Sequence, residues 1–333
     1  MDVQWTKAGR RCEMSEIKII DMKPETGEFK KEIISGLKKT PKEINPKFFY
    51  DEKGSMLFER ITETEEYYPT RTEREILENN IEEICTYFKD GSALFEYGSG
   101  GSKKTQIILD HCKQIKAYVP MDISISALQY SSQHVAALYP SLNVLPICVD
   151  YTRPFEIPFL DLEGNIIAIF LGSSIGNFEP KTTSRFLRTC TEMLGPEDRI
   201  LIGVDLKKDK TVLERAYNDS EGITAEFNLN LIDRINREFE LNLNKSDFKH
   251  IAFYNEENGR IEMHIEVRRD MNINLDGNNI YFREGELIHT ENSYKYDVNE
   301  FNNLAKKNHL EVEKIWIDQR KYFSLFLIGT EIR

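Results

Sequence analysis

The chain is 333 residues long, enough for more than one average domain, with the 40% hydrophobic and 30% charged residues of an ordinary globular protein. A formal net charge of −12 excludes the clustered basic face that phosphate backbones require, so neither nucleic acid nor an anionic membrane surface is an expected partner. Apolar runs such as Ile166 to Leu171 are far too short to span a bilayer.

Met1 to Ser15 is polar, carries no signal-peptide pattern and is expected to be disordered. Ile17 to Arg71 reads as helical and tyrosine-rich. From about Ala93 to Leu206 short β-rich runs alternate with helical patterns. The runs are Ala93 to Tyr97, Ala117 to Met121, Asn143 to Val149, Ile166 to Leu171 and Arg199 to Val204. Helices are predicted over Lys104 to Cys112, Ser126 to Leu138 and Thr182 to Leu194. Such alternation predicts a parallel sheet with helices on both faces.

The rhythm then changes. Thr211 to Phe239 reads as one helix with an apolar stripe through Leu229, Leu231, Ile232 and Ile235. Strands follow at Ile251 to Tyr254, Ile261 to Val267, Ile280 to Phe282 and Leu287 to Tyr296, with a turn at Glu257-Asn258-Gly259. A helix, Val298 to Asn308, precedes two closing strands, Val312 to Ile317 and Tyr322 to Ile328. The expected architecture is α/β with two domains. Residues 72–206 plus 298–333 form a Rossmann-like domain, and residues 16–71 plus 207–297 form a second, α+β domain that binds substrate. Ligand sites favour the cleft between such lobes and the carboxyl ends of parallel strands.

The five cysteines, Cys12, Cys85, Cys112, Cys148 and Cys190, are widely spaced, odd in number and form no C-x-x-C. That usage predicts reduced thiols and a cytoplasmic protein. The six histidines form no H-x-x-x-H pair, and no metal is expected.

Chemistry enters at Gly98-Ser99-Gly100-Gly101, which ends the first parallel strand and leads into a helix. Glycines there permit a tight turn and a close ligand approach, although many strand-to-helix turns are glycine-rich for packing alone. Two further strand ends raise the signal. Asp122 stands where an acid can hold ribose hydroxyls, and Asp150-Tyr151 can accept from an adenine amino group beside an aromatic wall. Either acid alone would be read as an ordinary helix cap. A dinucleotide fingerprint would require a third glycine where Lys103 stands, so a nucleoside without a pyrophosphate fits better than NAD. The helix and hairpin at the C-terminus look like the closing strands of class I methyltransferases.

Longer segments carry a more specific resemblance. They are Phe48-Phe49-Tyr50-Asp51, Glu66-Tyr67-Tyr68-Pro69-Thr70-Arg71, Leu171-Gly172-Ser173-Ser174-Ile175-Gly176-Asn177, Gly203 to Asp209, Ala225 to Asn230 and Thr290-Glu291-Asn292-Ser293. Through them the chain, from roughly Pro46 to Ile328, resembles the histidine-specific Nα-methyltransferases that form hercynine for ergothioneine biosynthesis. The resemblance implies a class I (Rossmann-like) S-adenosylmethionine methyltransferase domain joined to an α+β substrate domain. The implied cofactor, S-adenosyl-L-methionine, would contact Gly98, Lys104, Asp122, Asp150 and Tyr151. Asn177 and Tyr217 would hold the amino-acid carboxylate, and the Gly172 carbonyl and Thr224 hydroxyl would flank the α-amine. Tyr67, Glu291 and Ser293 would read the imidazole, with Met263 lining that pocket. No dedicated base is required, and the Tyr50 and Thr224 hydroxyls are candidates for a proton relay. A monomer acting on a small-molecule amino-acid substrate is implied.

Taken singly, these residues have plainer readings. Tyr67 could be a packing corner, Asn177 a turn residue, Met263 core, and Glu291 a solvent-facing carboxylate. Their joint placement within family segments favours the site. The chain departs from the family pattern at Gly101, where threonine is usual, and around Asn292 and Tyr294-Lys295-Tyr296. Other functions weighed are Nα-methylation of another amino acid such as tryptophan, a nicotinamide-dependent oxidoreductase, and a non-catalytic S-adenosylmethionine sensor.

Overall fold

The computed structural model describes residues 17–24, 28–99, 103–155 and 163–330. Met1 to Ser15, Cys12 and the turn residues Gly100 and Gly101 lie outside the described residues.

Among the described residues, nine strands form one large sheet. Its order is Ile20–Asp21, Ile147–Cys148, Ile115–Asp122, Ser92–Tyr97, Ile166–Phe170, Arg199–Asp205, Phe323–Thr330 and Leu310–Ile317, with Asn143–Val144 also on Ile115–Asp122. The first six run parallel, whereas Phe323–Thr330 pairs antiparallel with both Arg199–Asp205 and Leu310–Ile317. This α/β arrangement, with one reversed strand near the edge, is the architecture expected of the Rossmann-like part.

Every residue of Ser92–Tyr97 is buried, as befits a central parallel strand covered on both faces. Its alternate side chains face two different cores. Ala93, Phe95 and Tyr97 pack with Phe186 and Phe301 from helices Pro180–Met193 and Val298–Lys307. Leu94 packs with Leu77, Ile108 and Val135 from helices Tyr68–Cys85, Lys103–His111 and Ile125–Leu138.

A third core joins the N-terminal region to the segment after Leu206. Helices Phe29–Leu37, Glu52–Ile61 and Ile223–Phe239 pack with a three-stranded antiparallel sheet, Leu287–Tyr294, Arg260–Val267 and Phe248–Asn255. Ile33, Phe49, Leu57, Phe227 and Ile261 belong to this one cluster.

Five details differ from the sequence reading. The stretch Thr211 to Phe239 is two helices, Lys210–Ala216 and Ile223–Phe239, because Gly222 takes φ 73° and Asp219 caps the second helix. The Asp219 carboxylate accepts the Ile223 and Thr224 N–H groups at 2.8 and 2.7 Å. The Asn143 to Val149 strand is split around Pro146, which has no N–H for the ladder. A strand at Met271–Leu275, unpredicted, makes a hairpin with Asn278–Phe282 through Asp276-Gly277 at φ 46° and 83°. Ile20–Asp21 pairs with Ile147–Cys148 of the large sheet and not with the later insertion.

The fifth concerns the thiols. Cys85 and Cys112 form a disulfide, with their Cα atoms 5.0 Å apart, so the expectation of reduced thiols fails for this pair. The reason is spatial: one cysteine ends helix Tyr68–Cys85, the other follows helix Lys103–His111, and the two helices pack on the same face of the sheet. Cys148 and Cys190 are free and buried. No described helix is long and apolar enough to cross a membrane.

Candidate active site

The carboxyl ends of Ser92–Tyr97 and Ile115–Asp122 lie side by side, with Val149 hydrogen-bonded to Asp122 on the far side. Gly98 leaves the first strand at φ 78°, in the left-handed region that favours glycine. A Cβ there would stand 3.2 Å from the Tyr151 hydroxyl, so the missing side chain keeps the turn and Tyr151 close. The Tyr151 ring packs at 5.5 Å from Tyr97 and 6.0 Å from Phe170.

The two acids differ in their surroundings. Burial pushes the Asp122 carboxyl up, against backbone N–H groups that pull it down, Ser124 first at 2.9 Å. Asp150 is held within its own turn, accepting the Thr152 N–H at 3.0 Å and hydroxyl at 2.6 Å, with Arg153 at 3.3 Å. An open glycine backbone, an aromatic wall and two carboxylates at neighbouring strand ends suit a nucleoside, whose ribose hydroxyls and exocyclic amine are donors. The residues present therefore fit S-adenosylmethionine.

Lys104 is engaged with Glu73, a fully buried acid that sequence reasoning passed over. The same carboxylate accepts the Gly172 N–H at 2.7 and 2.9 Å. Gly203 makes room for it, since a Cβ there would fall 1.9 Å from Glu73 Oε1. Gly172 and Ser173 both take positive φ, 80° and 56°, and the Ser173 hydroxyl accepts the Asp205 N–H at 3.0 Å. This double left-handed turn at the end of Ile166–Phe170 fixes the Gly172 peptide and launches the short 3-10 helix Ser174–Asn177.

Opposite stands the strand Leu287–Tyr294. A β-bulge between His289 and Glu291 interrupts its pairing with Arg260–Val267. The Thr290 hydroxyl, taken up by Asn228 Oδ1 at 2.9 Å or Met263 O at 3.0 Å, lies within the bulge. Bulges re-aim the side chains beside them. Beyond it Glu291 is paired with Met263, so the two share a face; Ser293 follows on that face with period two, and Lys295, one residue past the strand, reaches back to the Ser293 hydroxyl.

Glu291 is buried, and burial pushes its carboxyl up to about 7, against the pull of the Lys295 ammonium. Asn177 donates to it at 3.3 Å. The 3-10 helix reaches the strand this closely because Gly176 sits on the Tyr294 backbone, where a Cβ would lie 2.7 Å from the carbonyl oxygen. Tyr217, at the end of helix Lys210–Ala216, donates to the Ser293 hydroxyl at 2.8 Å. Burial pushes Tyr217 up, and its ring meets that of Tyr67 edge-on at 6.2 Å. Tyr67 is itself buried, and Met263 is 1% exposed. Thr224, in the first turn of Ile223–Phe239, has a buried hydroxyl that makes no well-aligned hydrogen bond among the described residues, although it lies close enough to Asp219 to help hold that carboxyl down. Tyr50 leaves 46% of its surface open, while burial of its hydroxyl end and then Glu291, Tyr67 and Tyr217 push its ionisation up.

Thus Tyr50, Tyr67, Asn177, Tyr217, Met263, Glu291 and Ser293 come together, and Gly172 leads by two tight turns to Asn177. The cluster also holds a cation: the Lys295 ammonium lies 3.1 Å from the Tyr217 oxygen and 2.8 Å from that of Ser293. Its charge is balanced by fully buried Asp205 at 2.8 Å. Asp205 also takes Lys208 and the Tyr68 hydroxyl, at 2.5 and 2.9 Å. Burial would raise the Asp205 carboxyl, but the two ammonium groups hold it below its ordinary value, and burial lowers Lys208 to about 8. Lys295 was readable in principle: counting by two from Glu291 reaches it one residue past the end of the strand.

The chain is similar in sequence to known methyltransferases. The family described as histidine-specific, SAM-dependent methyltransferase matches residues 29–330. Histidine N-alpha-methyltransferase of Mycobacterium tuberculosis is 37% identical over 273 residues, covering 80% of this chain and 84% of the relative. The protein of the same name from Mycolicibacterium smegmatis is 36% identical with the same coverage. Ergothioneine biosynthesis protein 1 of Neurospora crassa is 31% identical over 289 residues, 85% of this chain and 32% of the relative. Among solved structures, an S-adenosylmethionine-dependent methyltransferase from Clostridium acetobutylicum aligns over 82% of this chain and 97% of its own, with 11% identity and a TM-score of 0.47. With a family match spanning nearly all of its described fold, the chain belongs to the S-adenosylmethionine-dependent, histidine-specific methyltransferases.

Proposed function

We propose that the protein trimethylates the α-amine of L-histidine, forming hercynine and consuming three S-adenosylmethionines. The observation that carries this reading is the cluster of buried Tyr217, Glu291 and Ser293 with half-buried Asn177. It offers both a donor set for a carboxylate and an acceptor with a hydroxyl for an azole ring.

In this reading residues 72–206 with 298–333 form the methyltransferase domain, whose edge also takes the strand Ile20–Asp21, and the rest of 16–71 with 207–297 forms the substrate domain. Gly98, Lys104, Asp122, Asp150 and Tyr151 belong to the cofactor side, Lys104 acting through its pair with Glu73. When bound, S-adenosylmethionine supplies an electrophilic methyl group on a sulfonium. Asn177 and Tyr217 hold the substrate carboxylate by neutral hydrogen bonds. The carbonyl of Gly172 and the hydroxyl of Thr224 flank the amine and aim its lone pair. Glu291 and Ser293 bind the ring nitrogens, while Tyr67 and Met263 wall the ring. An analogue without ring nitrogens would leave Glu291 and Ser293 unpaired in a buried site, a large penalty. No strong base is needed, because the amine must only be neutral before it attacks. Tyr50 and Thr224 are placed to pass its proton outward. Alignment in a dry polar pocket is the main protein contribution. A monomeric, cytoplasmic enzyme is part of the proposal: the monomer rests on the family resemblance and the cytoplasm on the sparse, unpatterned cysteines, of which Cys85 and Cys112 are nonetheless bridged.

The test is product mass after incubation with S-adenosylmethionine and each amino acid in turn. A gain of three methylene units on histidine is expected. An L-tryptophan methyltransferase from Psilocybe serbica is 25% identical over 323 residues, so tryptophan belongs in the panel. Methylation of tryptophan with histidine left unchanged would sink the proposal.

A further inference from the structure

Lys295 is among the most deeply buried cations of the molecule, with 1% of its side chain exposed. An ammonium has three N–H donors and cannot accept. All three are assigned: Asp205 Oδ2 at 2.8 Å, the Tyr217 hydroxyl at 3.1 Å and the Ser293 hydroxyl at 2.8 Å. The two hydroxyls also bond to each other at 2.8 Å, which uses one of their two protons inside the protein.

Without Lys295 this pair would satisfy itself, one hydroxyl donating and the other accepting, and neither would be forced to face a ligand. With Lys295 the balance differs. Each oxygen receives an N–H from behind, and a donor-only neighbour cannot take a proton back. A substrate carboxylate is a stronger acceptor than a serine hydroxyl and draws the Tyr217 proton outward. Ser293 keeps its bond from Lys295, and with the Tyr217 oxygen already taking an N–H from Lys295 its own proton is left for the ligand. On the same strand face Glu291 is an acceptor for a ring N–H. The cluster then matches a neutral azole, which carries one N–H and one bare nitrogen.

We propose that Lys295 is the positioning residue that turns both Tyr217 and Ser293 into donors toward the substrate, and so sets the preference for a neutral azole side chain. This rests on the histidine reading above. Asp205 makes the arrangement affordable in a buried site by balancing the charge, and Lys208 and Tyr68 hold Asp205 in place from the other side.

The experiment is binding calorimetry with S-adenosylhomocysteine present, titrating histidine and thienylalanine, whose ring has similar size but no nitrogen. In the wild type histidine should bind more tightly. In Lys295→Met the ratio of the two affinities should fall roughly tenfold or more, with the S-adenosylhomocysteine affinity unchanged. Lys295→Gln separates hydrogen-bond direction from space filling, and serves also if the methionine variant does not fold. Its amide oxygen can capture a hydroxyl proton, so the ratio should again fall, whereas a merely structural lysine would be replaced without loss. An unchanged ratio in a folded variant overturns the role of Lys295. A wild-type protein that binds no histidine overturns the histidine reading itself, a result of a different kind.

Discussion

Asn177 Nδ2 lies 3.3 Å from Glu291 Oε1, so the group proposed to hold the substrate carboxylate touches the group proposed to read its ring. Histidine must replace this bond with two of its own. Truncating Glu291 to alanine removes the ring acceptor, and the KM for histidine should rise about tenfold to a hundredfold, the range for a charged hydrogen bond. Glu291→Gln keeps a carbonyl acceptor and should lose less. Asn177→Asp should be worse than Asn177→Ala, because it sets a second carboxylate beside Glu291 and opposite the substrate's own. Initial rates of methyl transfer against histidine concentration would check the order, and equal losses for Glu291→Gln and Glu291→Ala would contradict it.

Glu96 gives a prediction about stability. It is a buried residue of the central strand Ser92–Tyr97, where the Thr105 hydroxyl donates to it at 2.7 Å and the Tyr118 hydroxyl donates to its other oxygen. Burial pushes its carboxyl from the ordinary 4.5 to about 7, although those hydroxyls and Lys104 pull it down. Between these two values the folded protein holds more protons than the unfolded chain, so this group's contribution falls as pH rises. It is fully present below about 4.5 and lost above about 7. Glu96→Gln removes the titration. Urea unfolding across that range should show the wild type losing stability relative to the variant, by at most about 1.4 kcal/mol per pH unit.

The sheet was legible because its strands are short apolar runs bounded by glycine, proline and charge, and because helices of regular period separate them. The hydrophobic stripe through Leu231 and Ile235 was equally plain, but it hid the break at Tyr217 to Gly222. There a left-handed glycine and the Asp219 cap overrode helical periodicity. Of the site, the strand-end acids and the glycine turn follow from position along the chain. Asn177, Tyr217 and Glu291 needed the family resemblance, since each is an ordinary residue type until three distant segments meet. Glu73, Asp205, Lys208 and Lys295 were missed for a physical reason. A buried ion pair looks like surface charge in a sequence, and only contact across the fold reveals its partner.

Asp205 is the residue on which that hidden charge cluster depends. Asp205→Asn leaves Lys208 and Lys295 buried beside each other without a counter-ion. A loss of about 3–5 kcal/mol is expected, as for other buried pairs stripped of one partner. The deficit should shrink as pH is raised towards 8 and level off above it, because Lys208, lowered to about 8 by burial even with Asp205 raising it, sheds its proton at a lower pH in the variant than in the wild type. Chemical denaturation at several pH values would test both the size and the sign.

On the cofactor side, Gly98→Ala meets two obstacles. The backbone is at φ 78°, costing a side chain about 1–2 kcal/mol, and the new methyl would lie 3.2 Å from the Tyr151 hydroxyl. The affinity for S-adenosylhomocysteine should fall about tenfold or more. Adding Tyr151→Phe removes the contact but not the strain, so the double variant should recover part of the loss. Full recovery in calorimetry would mean that the backbone conformation is immaterial.

Thr224 carries the prediction that separates stability from function. Its hydroxyl is buried and makes no well-aligned hydrogen bond among the described residues, with the Asp219 carboxylate a nearby acceptor, a cost of at most about 1–3 kcal/mol to the ligand-free protein. Thr224→Val replaces that oxygen with a methyl group of similar size. The melting temperature without ligand should stay level or rise, while kcat/KM for histidine falls about tenfold, since the amine loses a neighbour that orients it. The first effect follows from desolvation and the second from the proposed role, so they can fail separately. A variant that is both less stable and fully active would show that the hydroxyl is satisfied in the resting protein and idle in the reaction.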